Sequence, residues 1–178
     1  MSAGRPRTWF LVAGGALVTV IVAWSLASTP ADAARAPCPE ARTQAAELNQ
    51  AKARQAVRCL VNRERTGLRK LKLRGSLSGP ALKHSRKMRR HRCLLHVCPG
   101  EPATLIQRLD RYARGAGARV GEVIALNGAS ASPRAVVRQW MGSAPHRHLL
   151  RGRFQHLGVG FSANARLAYW TVDLGARR

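Results

Sequence analysis

Four cysteines behind an export signal constrain the fold of this chain more than any other sequence feature. The first 33 residues combine two arginines, an apolar run and the small-residue motif Ala31-Asp32-Ala33, which is the pattern of a secretory signal peptide. An exported protein meets an oxidising environment, in which cysteines pair. We therefore expect two disulfides among the four cysteines, which are Cys38, Cys59, Cys93 and Cys98.

The N-terminal signal also predicts where the protein resides. Cleavage after Ala33 releases a chain of one-domain size to the cell exterior, so we expect a secreted protein with a single core. The alternative is a membrane anchor, because the uncharged run from Thr8 to Ala31 is long enough to span a bilayer if it is retained. The expected organisation is a signal peptide (1–33), an N-terminal segment tied by a disulfide (34–48) and the main domain (49–178).

Four cysteines allow three pairings. Cys93 and Cys98, in "RCLLHVCPGE", would close a short loop worth about 2 kcal/mol, and Cys38 with Cys59 a longer loop worth about 3 kcal/mol. A structural zinc site would need thiolates in two closely spaced pairs, which this chain lacks. We predict these two disulfides. Since a disulfide needs α-carbons within about 7 Å, residues 39–48 must fold back beside the first helix.

Positive charge dominates the composition and limits the partners. The chain has 31 basic and 8 acidic residues, a formal net charge of +23, and two basic segments at 69–75 and 83–92. Such a surface favours anionic partners, namely wall polymers or acidic lipid. The alternative is a solvated helix face. Aromatic residues do not interleave with these charges, so specific nucleic-acid binding is not expected. A small apolar ligand is compatible with the sequence, and we expect a monomer.

Helical spacing dominates the first part of the chain and strand alternation the last. A helix is predicted from the N-cap Asn49, and another from Ser132 and Pro133. In a further helix, His84 lies on an apolar stripe, where a histidine is usually a core residue. These patterns predict an α+β fold with an antiparallel sheet. The remaining expected elements are helices over 77–88 and 105–113, strands over 119–126, 157–163 and 167–174, and a hairpin turn around Asn164.

Several motifs together resemble a known family. The segments "CLVNRERTGLRKLKL", "LKHSRKM", "GEVIA", "VVRQWMGSAPHRHLL", "RFQHLGVGF" and "YWTVDLG" follow in the order found in the bacterial branch of the CAP superfamily, which includes cysteine-rich secretory and pathogenesis-related proteins. The resemblance covers about residues 56–175. It implies a three-layer α-β-α sandwich with a central, mostly antiparallel sheet. It also implies a cleft lined by two histidines and two glutamates.

The same resemblance assigns candidate residues to the cleft. His96 and His146 are similar to the two cleft histidines, and Glu122 to the first glutamate. The second glutamate should fall near Ser143 and is absent, so Ser143 is the candidate cleft residue at that place. Val123 and Pro145 also depart from the family pattern. His156 could fill part of the gap, but we expect it to be a partly exposed loop residue.

This residue set supports weak metal binding or none. His96, His146 and Glu122 are the types of side chain that bind zinc or another divalent cation. No convincing nucleophile accompanies them, so no catalytic residue is assigned and enzymatic activity is left open. We expect a noncatalytic module that binds a ligand or surface. The alternatives are a metal-assisted, peptidase-like hydrolase at the same cleft and a basic cell-surface adhesion protein.

Overall fold

The structure, a computed structural model, describes residues 37–114 and 117–177. The described residues belong to one compact unit. The predicted signal peptide or anchor, and residues 34–36 of the predicted N-terminal segment, lie outside the described residues. None of the helices described is both long enough and apolar enough to cross a bilayer.

Helices occupy most of the first half of the described chain and strands most of its last part. A short 3₁₀ helix at Ala45–Glu47 precedes them. The elements in chain order are α1 (Gln50–Glu64), β1 (Lys72–Leu73), α2 (Gly75–His91), α3 (Leu105–Arg108), α4 (Asp110–Ala113), β2 (Arg119–Gly128), α5 (Pro133–Gly142), α6 (Ala144–Leu150), β3 (His156–Ala163) and β4 (Leu167–Ala176).

The four strands form one mixed sheet in the order β1-β3-β4-β2. β4 pairs antiparallel with both β3 and β2, while β1 runs parallel to β3 at one edge. The predicted hairpin of β3 and β4 is confirmed, with Asn164 accepting hydrogen bonds from the backbone of Arg166 and Leu167 in the turn. β1 was not predicted, because two residues are too few to show a strand alternation.

Successive residues of β3 face opposite sides of the sheet, and each side is covered by a different layer of helices. Its odd-numbered apolar residues, from Leu157 to Phe161, enter the main core, which contains residues of α1 and α5. Gly158 and Gly160 face the opposite side, where an added Cβ atom would collide with the backbone of α2. Because these positions carry no side chain, α2 lies directly on the sheet. The three-layer α-β-α sandwich of the predicted α+β class is confirmed.

The segment before α1 folds back, as the predicted disulfide required. Cys38 and Cys59 are bonded, with their α-carbons 5.6 Å apart. Within this segment, the carbonyl of Ala41 accepts a hydrogen bond from the backbone of Arg134 in α5. Its buried apolar residues belong to the same core as α1. The disulfide therefore fastens a segment that is already part of the domain core.

Two predicted helix starts are confirmed at their capping residues. The side chain of Asn49 accepts a hydrogen bond from the backbone of Lys52 at the start of α1. Ser132 does the same with Ala135 at the start of α5, where Pro133 is the first helical residue. Local hydrogen bonding thus begins both helices where the sequence indicated.

Two helix predictions need correction. The helix predicted over 105–113 is interrupted at Leu109, which lies outside helical geometry between α3 and α4. Ile106, within α3, is 57% exposed. Helix α6 was not predicted, because its sequence APHRHLL is short and shows no clear apolar periodicity.

Candidate functional site

Sheet register places two carboxylates side by side beneath α2. Glu122 of β2 and Asp173 of β4 are direct partners across the strands. Asp173 is also opposite Gly158, the residue on which α2 packs, so both carboxylates are on the α2 face. Their side chains are 2% and 0% exposed. Like charges in this arrangement repel, so the site needs compensating cations or protons.

Helix α2 brings His84 to the same place. The ring is fully buried, and its Nδ1 lies 2.9 and 2.8 Å from the two carboxylate oxygens of Glu101. Its Nε2 lies 3.8 Å from Glu122 and has no hydrogen-bond partner among the described residues. His84 is therefore buried, as expected of a core residue, and its ring nitrogens lie beside the carboxylates of Glu101 and Glu122.

Arg108, the last residue of α3, lies among these acids. Its guanidinium is hydrogen-bonded to Glu122 and is 3.9 Å from both Glu101 and Asp173. A capping box formed by Thr104 and Gln107 starts α3 and so positions Arg108 one turn later. We name this group the cleft-floor cluster, and its members are His84, Glu101, Arg108, Glu122 and Asp173.

The disulfide loop positions His96 above the cleft-floor cluster. Cys93 and Cys98 are paired as predicted, with α-carbons 6.3 Å apart. His96 Nδ1 lies 2.7 Å from Glu122, and its backbone carbonyl accepts a hydrogen bond from Arg108 at 2.7 Å. The hydrogen bond to Glu122 raises the pKa of His96, which favours the protonated ring. The imidazole is 60% exposed, so solvent or a ligand can reach it.

His146 has the opposite electrostatic setting. It is half-buried in α6, directly after Pro145 in the first turn. Burial lowers its pKa first, and the nearby positive charge of His96 lowers it further. Neither nitrogen of His146 has a hydrogen-bond partner within the described ranges, and Ser143 makes no bond to it there. The pKa shifts of the two predicted cleft histidines therefore differ in direction, since that of His96 favours the protonated ring and that of His146 the neutral ring.

The surroundings of Asp173 favour its protonated form. Complete burial and the charge of Glu122 raise its pKa well above the ordinary value, against the opposing influence of Arg108. A protonated Asp173 removes the repulsion between paired carboxyls. Sequence analysis missed this residue, although a usable signal existed, since Asp173 shares the alternation of Thr171 and Tyr169 on a buried strand.

The predicted metal ligands are brought together only in part. His96 and Glu122 are in contact, and His146 lies within electrostatic range of His96, but no hydrogen bond joins His146 to either in the described chain. The described residues do contain a group spaced for a metal ion, with ligand atoms within 4.8 Å, formed by His84, Cys98 and Glu101. The Sγ atom of Cys98 is in a disulfide, so it is not a thiolate ligand.

His156 does not supply the missing cleft acid or a substitute for it. It is the first residue of β3, not part of a loop, and its Nδ1 is 2.8 Å from the hydroxyl of Tyr112. Burial and neighbouring arginines lower its pKa. Two further carboxyl groups, those of Glu101 and Asp173, lie near Arg108 and Glu122, and the resemblance assigned neither of them to the cleft.

Comparison with known proteins gives one family and several similar folds. The family model for the cysteine-rich secretory protein family, CAP, matches residues 42–174. An extracellular protein of Bacillus anthracis that contains an SCP domain is similar at TM-score 0.61 and 27% identity, with 72% of this chain and 41% of that chain covered. Comparison with curated protein sequences found no match.

Two further solved structures share the fold. An outer surface protein of Borrelia burgdorferi has TM-score 0.62 and 19% identity, covering 74% of this chain and 97% of that one. A cysteine-rich secretory protein of Staphylococcus aureus has TM-score 0.53 and 16% identity, with coverage of 74% and 41%. This chain thus spans only 41% of the Bacillus and Staphylococcus chains. Because the family match extends over most of the sequence and the described architecture agrees with it, this chain belongs to the cysteine-rich secretory protein (CAP) family.

Proposed function

We propose that the protein is an exported, noncatalytic binding module whose ligand enters the cleft between His96 and His146. The observation that supports this most is the ion pairing of Glu122, whose oxygens contact Arg108 and His96. Both oxygens of this buried carboxylate already have hydrogen-bonding partners, so neither is free to take a proton from a substrate or a water, which disfavours a role as general base. Export is supported by the extracellular character of the Bacillus relative.

The two histidines suggest what the ligand offers. Protonated His96 presents an N–H donor, and neutral His146 presents an unpartnered acceptor nitrogen in the described structure. A small polar ligand with an acceptor on one side and a donor on the other would satisfy both rings. Exposed arginines such as Arg86 and Arg90 give α2 a positively charged face. We propose that this face binds an anionic partner surface, either wall polymer or acidic lipid.

A divalent cation fits this cleft weakly. Two imidazoles are available, but His96 must lose a proton to bind a metal, and Glu122 must leave Arg108. We propose zinc or a similar ion as a weak ligand of His96, His146 and Glu122, with an affinity that falls as pH falls.

Calorimetry with zinc tests the proposal. The wild type should bind in the millimolar range or somewhat tighter, and His146→Ala should bind at least tenfold more weakly. His148→Ala, an exposed position in the same helix, is the matched control and should retain wild-type affinity. Equal heats of zinc binding from wild type and His146→Ala would show that the histidine pair does not bind the ion.

A metal-assisted hydrolase at the same cleft is the second candidate. The opposite pKa shifts of His96 and His146 favour it, because such a split separates an acid from a base. Turnover of peptide or wall fragments that is lost in His146→Ala and kept in His148→Ala would replace the noncatalytic proposal. In a purely adhesive protein, neither substitution would change surface binding, and that binding would weaken as the salt concentration rises.

A further inference from the structure

A cavity lies beside α6 and the first residues of β2. Its volume is about 770 Å³, and its lining contains none of His96, Glu122 and His146. Five of its lining residues are basic, and no acidic residue among the described ones lines it. We call it the cationic cavity, and its basic residues are Arg119, Arg147, His148, Arg151 and Arg153.

High net charge alone does not explain this concentration of one sign. Another cavity of about 680 Å³ lies beside α2 and also contains basic residues, including Lys83 and Arg111. Two carboxylates, Glu101 and Asp110, accompany them there. The cationic cavity lacks such compensation, so a ligand anion is the group that would balance its charge.

A buried arginine holds the wall of the cationic cavity. Arg65 is 1% exposed, and its Nη1 donates to the carbonyls of Leu150 and Gly152 at 2.6 and 2.9 Å. Its Nε and Nη2 donate to the carbonyl of Arg69. Burial, with a further contribution from Arg151, lowers the pKa of Arg65. Carbonyl oxygens satisfy its hydrogen bonds but carry no net charge, so its positive charge adds to that of the wall.

The rim is partly preoriented above an apolar floor. The Arg119 guanidinium lies 4.8 Å from the centre of the Phe154 ring and is hydrogen-bonded to the carbonyl of Arg153. Val120, Leu149 and Phe154 supply apolar surface between the basic residues. An inorganic anion would use only the rim, whereas a molecule with an anionic head and an apolar part would use both surfaces.

We propose that the cationic cavity binds an organic anion that carries a phosphate or carboxylate head and an apolar tail. Guanidinium groups of the rim hold the head through paired hydrogen bonds, as arginine does with phosphate. The floor takes the tail. The volume lies within the range of small-molecule sites, about 300 to 1,000 Å³. This site is separate from the proposed ligand site between His96 and His146.

Calorimetry with three probes tests the ligand class. Octyl phosphate, below its micelle concentration, should bind at least tenfold more tightly than inorganic phosphate and than neutral octyl glucoside. Inorganic phosphate of equal affinity would overturn the role of the apolar floor. Octyl glucoside of equal affinity would overturn the role of the arginines.

Two double variants test the location. Arg151→Gln with Arg153→Gln removes two exposed rim charges whose side chains make no hydrogen bonds in the described part of the chain, so folding should be preserved. It should weaken octyl phosphate binding at least tenfold. Arg86→Gln with Arg90→Gln removes the same charge from the outer face of α2 and should change affinity less than twofold. Equal losses in both would reduce the site to general attraction by net charge and overturn the proposal.

His146→Ala separates this inference from the proposed function. It should leave octyl phosphate binding unchanged while it weakens zinc binding. Loss of octyl phosphate binding in His146→Ala would place the anion in the histidine cleft and overturn the separate site.

Discussion

The cleft-floor cluster and the cationic cavity use arginine in opposite ways. Beneath the cleft, Arg108 lies among Glu101, Glu122 and Asp173, which are three of the chain's eight acidic residues. At the cavity wall, buried Arg65 contacts only carbonyl oxygens in its described hydrogen bonds. Arg108 offsets the negative charge of its neighbours, whereas Arg65 adds positive charge to the cavity wall. The two regions therefore differ in charge balance, since acids accompany the arginine in the cleft-floor cluster and none lines the cationic cavity among the described residues.

The largest expected effect comes from removing the cation of the cleft-floor cluster. Arg108→Met should lower the free energy of unfolding by about 3 to 5 kcal/mol, because it leaves buried carboxylates without their counter-ion. Urea unfolding at neutral pH measures this loss. The control is Arg114→Gln, which breaks an exposed pair with Asp110 and should cost less than about 0.5 kcal/mol. Similar losses in the two variants would show that burial does not distinguish these arginines.

The next effect concerns the proton on Asp173. Its raised pKa means that the folded state keeps this proton between about pH 4, where the unfolded group titrates, and the higher folded pKa. Wild-type stability should therefore fall as pH rises through that window, by at most about 1.4 kcal/mol per pH unit. Asp173→Asn should remove this dependence and become the more stable protein as pH rises.

Thermal unfolding of wild type and Asp173→Asn from pH 5 to pH 8 checks this sign. Asp110→Asn is the control, since Asp110 is exposed and its pKa is lowered rather than raised. Parallel pH profiles for wild type and Asp173→Asn would mean that Asp173 is ionised in the folded state.

The smallest expected effect is a pKa difference that separates the two cleft histidines. NMR titration should give a higher pKa for His96 than for His146. Glu122→Gln should lower the pKa of His96, because the hydrogen bond to the carboxylate that raises it is weakened. The stabilisation from His96 should be present below about pH 6.5 and be lost as pH rises through its folded pKa. If the pKa of His96 is unchanged in Glu122→Gln, the hydrogen bond between His96 and Glu122 does not form in solution.

Prediction from the sequence succeeded where the deciding forces are local. Asn49 and Ser132 are helix caps because a side-chain oxygen meets a backbone donor three residues later, within one segment. The hairpin at Asn164 follows from strand alternation on both sides of a turn. The interruption at Leu109 was missed because this residue and Tyr112 are buried together with Leu77 of α2, a contact distant in sequence.

The cleft was predicted in outline through family resemblance rather than through residue chemistry. His96, Glu122 and His146 came from matched motifs, and whether they bind a ligand together stays a prediction. Arg108 lies in no matched motif, Asp173 lies in the matched segment YWTVDLG but was not assigned to the cleft, and His84 was assigned to the apolar core. Their shared role is visible only once register and helix packing bring them to one place.

The sequence by itself determined the class of fold, the disulfide pairing and the excess of positive charge, because each depends on residue type and short-range spacing. The tertiary structure decided which charges are neutralised. Arg108 and Asp173 are 65 positions apart, and only the pairing of β2 with β4 beneath α2 brings Asp173 beside Glu122, within reach of that guanidinium. The physical reason is that the effect of a charge depends on its burial and its neighbours, and sheet register and helix packing set both.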